Sequence, residues 1–150
     1  MLTSRKNLGD ILIARGLIKQ EQLQAALLEQ KRTKEYVGAI LVRRGLVREK
    51  DLLSGIAEQF GIVFVSLTNS YLDWHLIKSF SSSLVLEHRC MPLAKDEDCL
   101  TMAIVDPLDV WALQKCEEEA WGVKVRFVLA SKDDMDDALL RYRQHLRSSL

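Results

Sequence analysis

Apolar residues recur at helical spacing through the first 60 residues, and a glycine interrupts each run. The pattern predicts a short helix from about Leu8 to Arg15 that ends at Gly16, because glycine adopts the left-handed conformation that closes a helix. A second helix is predicted over about 20–30. The pattern then returns, with Gly45 as the stop and a helix over about 49–60. These residues are therefore predicted to form two tandem helix-turn-helix units.

The two units are copies of one segment. Residues 7–30 and 36–59 align without a gap, and nine of the 24 aligned positions are identical. Duplication of this kind indicates one supersecondary unit used twice, and two units related by pseudo-symmetry can receive one ligand that is itself two-fold. The identical pairs are Gly9/Gly38, Ile11/Ile40, Leu12/Leu41, Arg15/Arg44, Gly16/Gly45, Leu17/Leu46, Leu23/Leu52, Glu29/Glu58 and Gln30/Gln59.

After Gly61 the pattern changes to short β-branched runs that alternate with helical segments. The predicted elements are a strand at 62–67, a helix at 73–80, hairpin strands at 90–94 and 99–105, a helix from 106 to about 120, a strand at 123–129 and a final helix capped by Ser131. The predicted fold class is α+β, with N-terminal tandem helix-turn-helix repeats followed by a small mixed α/β domain with a β-hairpin. The predicted domains are 1–60, a duplicated helical subdomain, and 61–150, a small α+β subdomain.

Composition and charge narrow the class of protein. The chain is 48 % hydrophobic with seven glycines and two prolines, which is typical of a folded globular protein, and no apolar run is long enough to cross a bilayer. The net charge is zero, yet residues 1–60 carry +4 and residues 61–150 carry −4. The repeat half is therefore expected to attract an anion. Three widely spaced cysteines indicate reduced thiols in a cytoplasmic protein.

Motifs for catalysis and metal binding are missing from the sequence. There is no phosphate-binding loop of the G-x-x-x-x-G-K-[ST] type and no G-x-S-x-G nucleophile elbow. His75, His88 and His145 are scattered, with no second ligand nearby at metal-binding spacing. We therefore predict no catalytic residues, no metal and no enzymatic activity in this chain.

The repeats, by contrast, contain candidate binding residues. Gly9 and Gly38 lie in the first turn of a predicted helix, where glycine costs about 1 kcal/mol relative to alanine, so the close approach of a ligand or another backbone would explain them. Gln30 and Gln59 offer two donors and one acceptor each, which suits a purine edge. Apolar surface for flat bases would come from Leu12, Leu17, Leu41 and Leu46, although a core position alone would also explain these leucines.

The duplicated motif L-G-x-x-L-[IV]-x-x-G-L-[IV], continuing to a glutamine, resembles the MshEN family. That family includes the N-terminal domain of type II secretion and type IV pilus assembly ATPases and also occurs in cyclic di-GMP-regulated glycosyltransferases. Similar stretches follow at 61–67, 91–93 and 100–109, so the resemblance covers nearly the whole chain. The motif positions are Leu8, Gly9, Leu12, Ile13, Gly16, Leu17, Ile18, Leu23, Leu27 and Gln30 in the first copy, and Val37, Gly38, Leu41, Val42, Gly45, Leu46, Val47, Leu52, Ile56 and Gln59 in the second.

The resemblance implies that the ligand is cyclic di-GMP, with half of it in each repeat and no further cofactor. The family commonly opens each motif with Arg, and here Asn7 and Tyr36 stand instead. Tyr36 can still stack on a base, and Arg5 or Lys6 can supply charge. The residues implied as ligand-binding are Asn7, Leu8, Gly9, Leu12, Ile13, Gly16, Leu17, Gln30, Tyr36, Val37, Gly38, Leu41, Val42, Gly45, Leu46 and Gln59.

We therefore expect a regulatory cyclic di-GMP-binding domain of a larger bacterial protein, either a secretion or pilus ATPase or a membrane glycosyltransferase. Its expected partner is the catalytic domain of that parent, with an inner-membrane complex as a further candidate, at the cytoplasmic face of the inner membrane. The alternative is a protein-docking module of the same fold that binds no nucleotide. DNA binding is disfavoured, because neither second helix is strongly basic.

Overall fold

The computed structural model describes residue 2 and residues 6–148. The described residues divide into two compact units, one of residues 6–61 and one of residues 62–148 together with Leu2. The division lies next to the boundary predicted at residue 60, and the assignment of two separate subdomains stays a prediction. Within the described ranges, no helix is both long enough and apolar enough to cross a membrane.

The first unit consists of four helices, two from each repeat. Each short helix is followed by a turn and a longer helix, as the sequence pattern predicts. The helices are α1 (Leu8–Ala14), α2 (Gln20–Thr33), α3 (Val37–Arg43) and α4 (Glu49–Phe60).

The two short helices end in the same way. Gly16 has a φ angle of 74°, and its N–H donates to the carbonyl of Ile13 at 2.9 Å. The N–H of Leu17 donates to the carbonyl of Leu12 at 3.0 Å, which completes a Schellman motif. Gly45 ends α3 with the same φ angle and hydrogen bonds of the same lengths. Both glycines are therefore helix stops, at positions where a β-carbon would be strained.

The two repeats pack in a crossed arrangement, which we call the exchange of helices. The first helix of each repeat lies against the second helix of the other, so α1 packs on α4 and α3 packs on α2. Gly55 permits the first of these contacts, because a β-carbon there would lie only 3.2 Å from Cδ2 of Leu12. The buried apolar residues of this unit are Leu8, Ile11, Leu12, Ile18, Leu23, Ala26, Ile40, Leu41, Val47, Leu52, Ile56, Ala57 and Phe60.

The second unit is built on a four-stranded mixed sheet in the order β1-β4-β3-β2. The strands β2 and β3 form the predicted antiparallel hairpin, whereas β4 pairs in parallel with both β3 and β1. The predicted α+β fold class is confirmed. The elements are β1 (Val63–Phe64), α5 (Trp74–Lys78), a π-helical turn (Ser83–Glu87), β2 (Met91–Lys95), β3 (Cys99–Ile104), α6 (Val110–Glu119), β4 (Lys124–Leu129) and α7 (Lys132–Ser148).

Two elements of this unit differ from the sequence prediction. The helix expected from residue 106 begins only at Val110, because Asp109 is its N-cap and accepts a hydrogen bond from the backbone of Ala112 at 3.1 Å. The carboxylate of Asp106 instead accepts from the N–H of Leu108 at 2.9 Å, which makes a turn before the helix. The π-helical turn at Ser83–Glu87 lies between the helix predicted at 73–80 and the strand predicted at 90–94, where the sequence pattern predicts no element.

The strand expected at 62–67 is shortened because its end is held by a side chain. The carboxylate of Asp134, in the first turn of α7, accepts hydrogen bonds from the N–H of Leu67 at 2.8 Å and the hydroxyl of Thr68 at 2.8 Å, as well as a longer one from Ser66. Burial alone would raise the pKa of Asp134, but these hydrogen bonds outweigh it and lower the pKa. This contact therefore fixes the segment after β1 on the start of α7.

We expect Asp134→Asn to lower the free energy of unfolding by about 1 kcal/mol, because a charge-assisted hydrogen-bond set becomes a neutral one. Urea unfolding of the variant measures this loss. Asp133→Asn is the matched control, since Asp133 is an exposed neighbour on the same helix. Equal effects of the two substitutions would show that helix-end charge, and not the contact with 66–68, explains Asp134.

Two of the three cysteines are buried. Cys90 and Cys116 are fully buried thiols of the second unit, and Cys99 is half-buried. A hydrogen bond with Cys90, together with burial, raises the pKa of the Cys116 thiol well above its ordinary value. A thiol held in its neutral form is a poor nucleophile, so Cys116 serves packing.

Candidate ligand site

A cavity of about 660 Å³ opens on the helical unit. Its walls come from four places: the start of α1, one face of α2, the start of α3 and the end of α4. Both repeats therefore contribute to it. The lining residues are Lys6, Asn7, Leu8, Gly9, Asp10, Gln20, Leu23, Gln24, Leu27, Tyr36, Val37 and Gln59.

The exchange of helices explains why residues so distant in sequence meet at this cavity. Because α4 packs on α1, the last residues of the second repeat lie beside the first residues of the first repeat. Gln59 is thereby placed with Leu8 and Gly9 in one wall. A single repeat cannot form this wall on its own.

The glycines of the motif are in contact with leucines of their own repeats. A β-carbon on Gly9 would lie 2.7 Å from Cδ2 of Leu23, and one on Gly38 would lie 2.8 Å from Cδ1 of Leu52. Both distances are shorter than any normal carbon–carbon contact. Helix packing therefore suffices to explain both glycines, without the approach of a ligand or a backbone that their positions in the sequence suggest.

The side chain that opens each motif contacts the glycine two residues later in the same motif. The side chain of Asn7 is the N-cap of α1, and its Oδ1 accepts a hydrogen bond from the N–H of Gly9 at 2.8 Å. The ring of Tyr36 lies over Gly38, where a β-carbon would be 2.9 Å from Cε1. Asn7 therefore has a structural role that an arginine would not fill.

Gln59 carries an unused hydrogen-bond acceptor. Its Oε1 is buried, and the described part of the chain offers it no hydrogen-bond partner. An unpaired buried acceptor typically costs about 1–3 kcal/mol. Because Gln59 lines the cavity, an N–H donor on a bound ligand would remove that cost.

Two equivalent sets of ion pairs join the repeats. The guanidinium of Arg15 donates to the carboxylate of Glu58 at 2.7 Å, and Lys6 lies 3.5 Å from the same carboxylate. In the other half, Arg44 and Arg43 both donate to Glu29, which is 8 % exposed. Each carboxylate directly precedes the terminal glutamine of its repeat. The identity of Arg15/Arg44 and of Glu29/Glu58 in the sequence is therefore explained by these cross-repeat pairs.

The ion pairs shift the ionisation of both glutamates. Hydrogen bonds from Arg43 and then Arg44 lower the pKa of Glu29, and a hydrogen bond from Arg15 lowers the pKa of Glu58. A carboxyl whose pKa is lower in the folded state stabilises that state once it is ionised in both states. The stabilisation is complete above the ordinary value of 4.5 and is lost as the pH falls through the lowered folded value.

We therefore expect the melting temperature to fall when the pH is lowered from about 6 to about 3, and to fall less in Glu29→Gln than in the unmodified chain. Thermal unfolding followed by circular dichroism across this range tests the difference. Glu21→Gln, an exposed change on the same helix, should keep the full pH dependence. A Glu29→Gln curve parallel to that of the unmodified chain would mean that Glu29 does not carry this linkage.

The structure places the predicted site residues in three environments. Leu12 and Leu41 are fully buried in the helical core, and Gly16 and Gly45 are exposed helix stops. Five further residues are half-buried and do not line the cavity: Ile13, Leu17, Gln30, Val42 and Leu46. Gly38 is buried beneath the ring of Tyr36. Their contact with a ligand stays a prediction. The predicted residues that line the cavity are Asn7, Leu8, Gly9, Tyr36, Val37 and Gln59.

Sequence reasoning did not assign the α2 wall to the site. Gln20, Leu23, Gln24 and Leu27 follow the i, i+3, i+4, i+7 spacing that marks one helix face. That spacing is the signal in the sequence that identifies this wall. Asp10, in the first turn of α1, also lines the cavity and was not predicted. Lys6 is the cation at the rim, whereas Arg5 lies outside the described residues. In the described ranges, no three His, Cys, Asp or Glu side chains are grouped as metal ligands.

A duplicated helical unit with an open cavity, followed by a mixed-sheet unit, defines a small two-part α+β class of domain. The chain belongs to the MshEN domain family, whose model matches residues 60–149. The resemblance seen in the repeats is thereby confirmed from the other half of the chain.

Several relatives agree with this assignment. The type IV pilus assembly ATPase PilB of Myxococcus xanthus (strain DK1622) is 26 % identical over 135 residues, which are 90 % of this chain and 24 % of that protein. The chain thus spans about a quarter of that relative's length. A solved structure described as MshE with cdg has 28 % identity and a TM-score of 0.84, covering 92 % of this chain and 99 % of that one. The N-terminal domain of XpsE, at 21 % identity and a TM-score of 0.62 over 90 % of this chain and 92 % of that one, shares the fold.

Proposed function

We propose that this chain is a regulatory domain that binds cyclic di-GMP, one ligand per chain, in the cavity of the helical unit. The structure similar over 92 % of the chain is that of MshE with cdg, which we interpret as cyclic di-GMP. The positive balance of residues 1–60 favours an anionic ligand. The two-fold ligand also matches a unit that is itself an internal duplication.

The buried Oε1 of Gln59, which has no hydrogen-bond partner among residues 2 and 6–148, is the observation that carries the proposal. A guanine presents adjacent N1–H and N2–H donors on its Watson–Crick edge, and either would satisfy this acceptor. Lys6 at the rim would neutralise a phosphate, and Tyr36 offers a ring on which a base can stack. The apolar wall formed by Leu8, Leu23 and Leu27 then covers the base.

Titration calorimetry with cyclic di-GMP tests the proposal, with cyclic di-AMP as the matched control because adenine lacks the N1–H donor. We expect a stoichiometry of one and a higher melting temperature with the guanine ligand, and much weaker binding of the adenine one. No heat and no stabilisation at high micromolar cyclic di-GMP would reject the proposal. That outcome would favour the protein-docking module.

We infer that the parent protein is a pilus or secretion ATPase, because the curated relative is a pilus assembly ATPase. In that setting the partner would be the ATPase domain of the same polypeptide, at the cytoplasmic face of the inner membrane. A membrane glycosyltransferase is the other host that the sequence motif allows. The sequence that continues from this chain in its genome distinguishes the two hosts.

We expect Asn7→Arg to tighten cyclic di-GMP binding while lowering stability. The variant loses the N-cap hydrogen bond to Gly9, which is worth about 1 kcal/mol, and gains a charge beside the proposed phosphate position. Calorimetry and thermal unfolding measure the two effects separately. Gln144→Arg, at an exposed position of α7 in the other unit, controls for net charge. An unchanged dissociation constant at low salt would mean that residue 7 lies away from the phosphates.

A further inference from the structure

Apolar side chains are exposed at both ends of α6. Leu108 and Val110 are about half-exposed, Trp111 is 78 % exposed, and Trp121, just after the helix, is 90 % exposed. Trp111 lies in the first turn of α6 and Trp121 lies two residues beyond its last residue, so the two tryptophans are at opposite ends of the helix. We call these four residues, together with Glu118 between them, the α6 face. Large exposed aromatic residues grouped in this way mark interaction surfaces.

The α6 face does not serve the packing of its own unit. The helix packs through Ala112, Leu113 and Cys116, which are buried on the opposite side. Trp111 and Glu118 lie seven residues apart, and Gln114 between them is also exposed, so they follow one stripe along the helix. The whole of this stripe is left to solvent.

Trp121 also carries backbone strain. Its φ angle is 52°, in the left-handed region that costs a residue with a β-carbon about 1–2 kcal/mol. Glycine or asparagine would occupy this position more easily. Since Trp121 is 90 % exposed, its own chain gains little from the ring. Packing within its own chain therefore does not explain an indole at this position.

The segment that carries the α6 face is acidic. Residues 106–121 contain five acidic residues and a single lysine, Lys115, which lies 3.7 Å from Glu119 in an ion pair. Glu117 and Glu118 are exposed between the tryptophans. This charge repels nucleic acids and anionic lipid surfaces, and it attracts a basic partner.

We propose that the α6 face docks a protein segment in which arginine or lysine side chains alternate with apolar ones. Arginine guanidinium groups stack on the faces of Trp111 and Trp121, and Glu118 accepts their hydrogen bonds. The apolar residues of the segment cover Leu108 and Val110. The residues of this site all belong to the unit of residues 62–148, and none of them lines the cavity proposed for cyclic di-GMP. The docking proposal therefore does not depend on the ligand proposal.

Fluorescence anisotropy of two labelled synthetic peptides tests the docking surface. Leucine alternates with arginine in one peptide, and glutamate replaces each arginine in the other. We expect the arginine peptide to bind the unmodified chain and the glutamate peptide not to bind. Trp111→Ser and Trp121→Gly should each weaken binding by about tenfold or more. Trp121→Gly should also raise the melting temperature, because it relieves the strain. Tyr71→Ser, which removes another exposed ring of the same unit, should change nothing.

The proposal is overturned if the arginine peptide does not bind, or if the tryptophan variants bind it as the unmodified chain does. Equal binding of the glutamate peptide, or a loss in Tyr71→Ser as large as in Trp111→Ser, would also overturn it. Binding of anionic phosphatidylglycerol vesicles or duplex DNA in preference to the arginine peptide would assign the face to another class of partner. Cyclic di-GMP titration of the same variants should be unchanged.

Discussion

Gln59→Leu is expected to weaken cyclic di-GMP binding by about 10–100-fold while leaving the chain equally or more stable. The binding loss follows because the guanine donors lose their acceptor, and an unpaired donor costs about 1–3 kcal/mol. The gain in stability follows because the substitution removes the buried Oε1, which has no partner among the described residues. A loss of binding together with a gain in stability is the signature of a residue kept for a ligand.

Calorimetry and urea unfolding of the same samples measure the two quantities. Gln144→Leu makes the same chemical change at an exposed position of the other unit, and should alter neither. If Gln59→Leu bound cyclic di-GMP normally, the ligand would lie elsewhere on the helical unit. If it unfolded the chain, Gln59 would have a structural role that the cavity geometry does not show.

Gly9→Ala is expected to destabilise the chain by about 2 kcal/mol, for a reason different from that at Gly16. The new β-carbon would lie 2.7 Å from Cδ2 of Leu23, a buried side chain that must move. The gain in helix propensity of about 1 kcal/mol offsets only part of this cost. At Gly16 no atom lies within 4 Å of the added carbon, but the φ angle of 74° makes alanine strained.

Second substitutions separate the two mechanisms. Leu23→Val makes room at Gly9, so the Gly9→Ala/Leu23→Val double variant should be more stable than the sum of its single changes predicts. Gly16→Asn should cost less than Gly16→Ala, because asparagine adopts the left-handed conformation more readily. Additive effects at Gly9 and Leu23 would mean that the helix relaxes around the new methyl group without strain.

Local signals in the sequence predicted the helices of the repeats closely. Gly16 and Gly45 marked the helix ends because a left-handed residue is recognisable from its type alone, and Ser131 caps α7 through a hydrogen bond to the N–H of Asp134. The start of α6 was predicted too early because Pro107 and Asp109 both suit a helix N-terminus, and only the three-dimensional contact of Asp109 decides between them.

The candidate site was harder to predict because it depends on which helices pair. The apolar spacing of α1 is the same whether it packs on α2 or on α4, so the sequence pattern does not distinguish the two arrangements. The pair of Arg15 and Glu58 joins residues 43 positions apart. Such a contact leaves no periodic signal, although the repetition of both residue types was visible.

The exchange of helices has a consequence for how such a unit can arise and diverge. One repeat alone would lack a partner for its arginine, its glutamate and half of its core, and would complete itself only by meeting a second copy. The unit therefore resembles a dimer whose two halves are joined in one chain. Because the halves are linked, their association does not depend on the protein concentration. Joining the halves in one chain also allows their sequences to differ. Lys6, which lines the cavity, corresponds to Glu35 in the second repeat. Glu35 instead accepts a hydrogen bond from Arg43 at 3.0 Å. A true homodimer would have to carry the same charge at both positions.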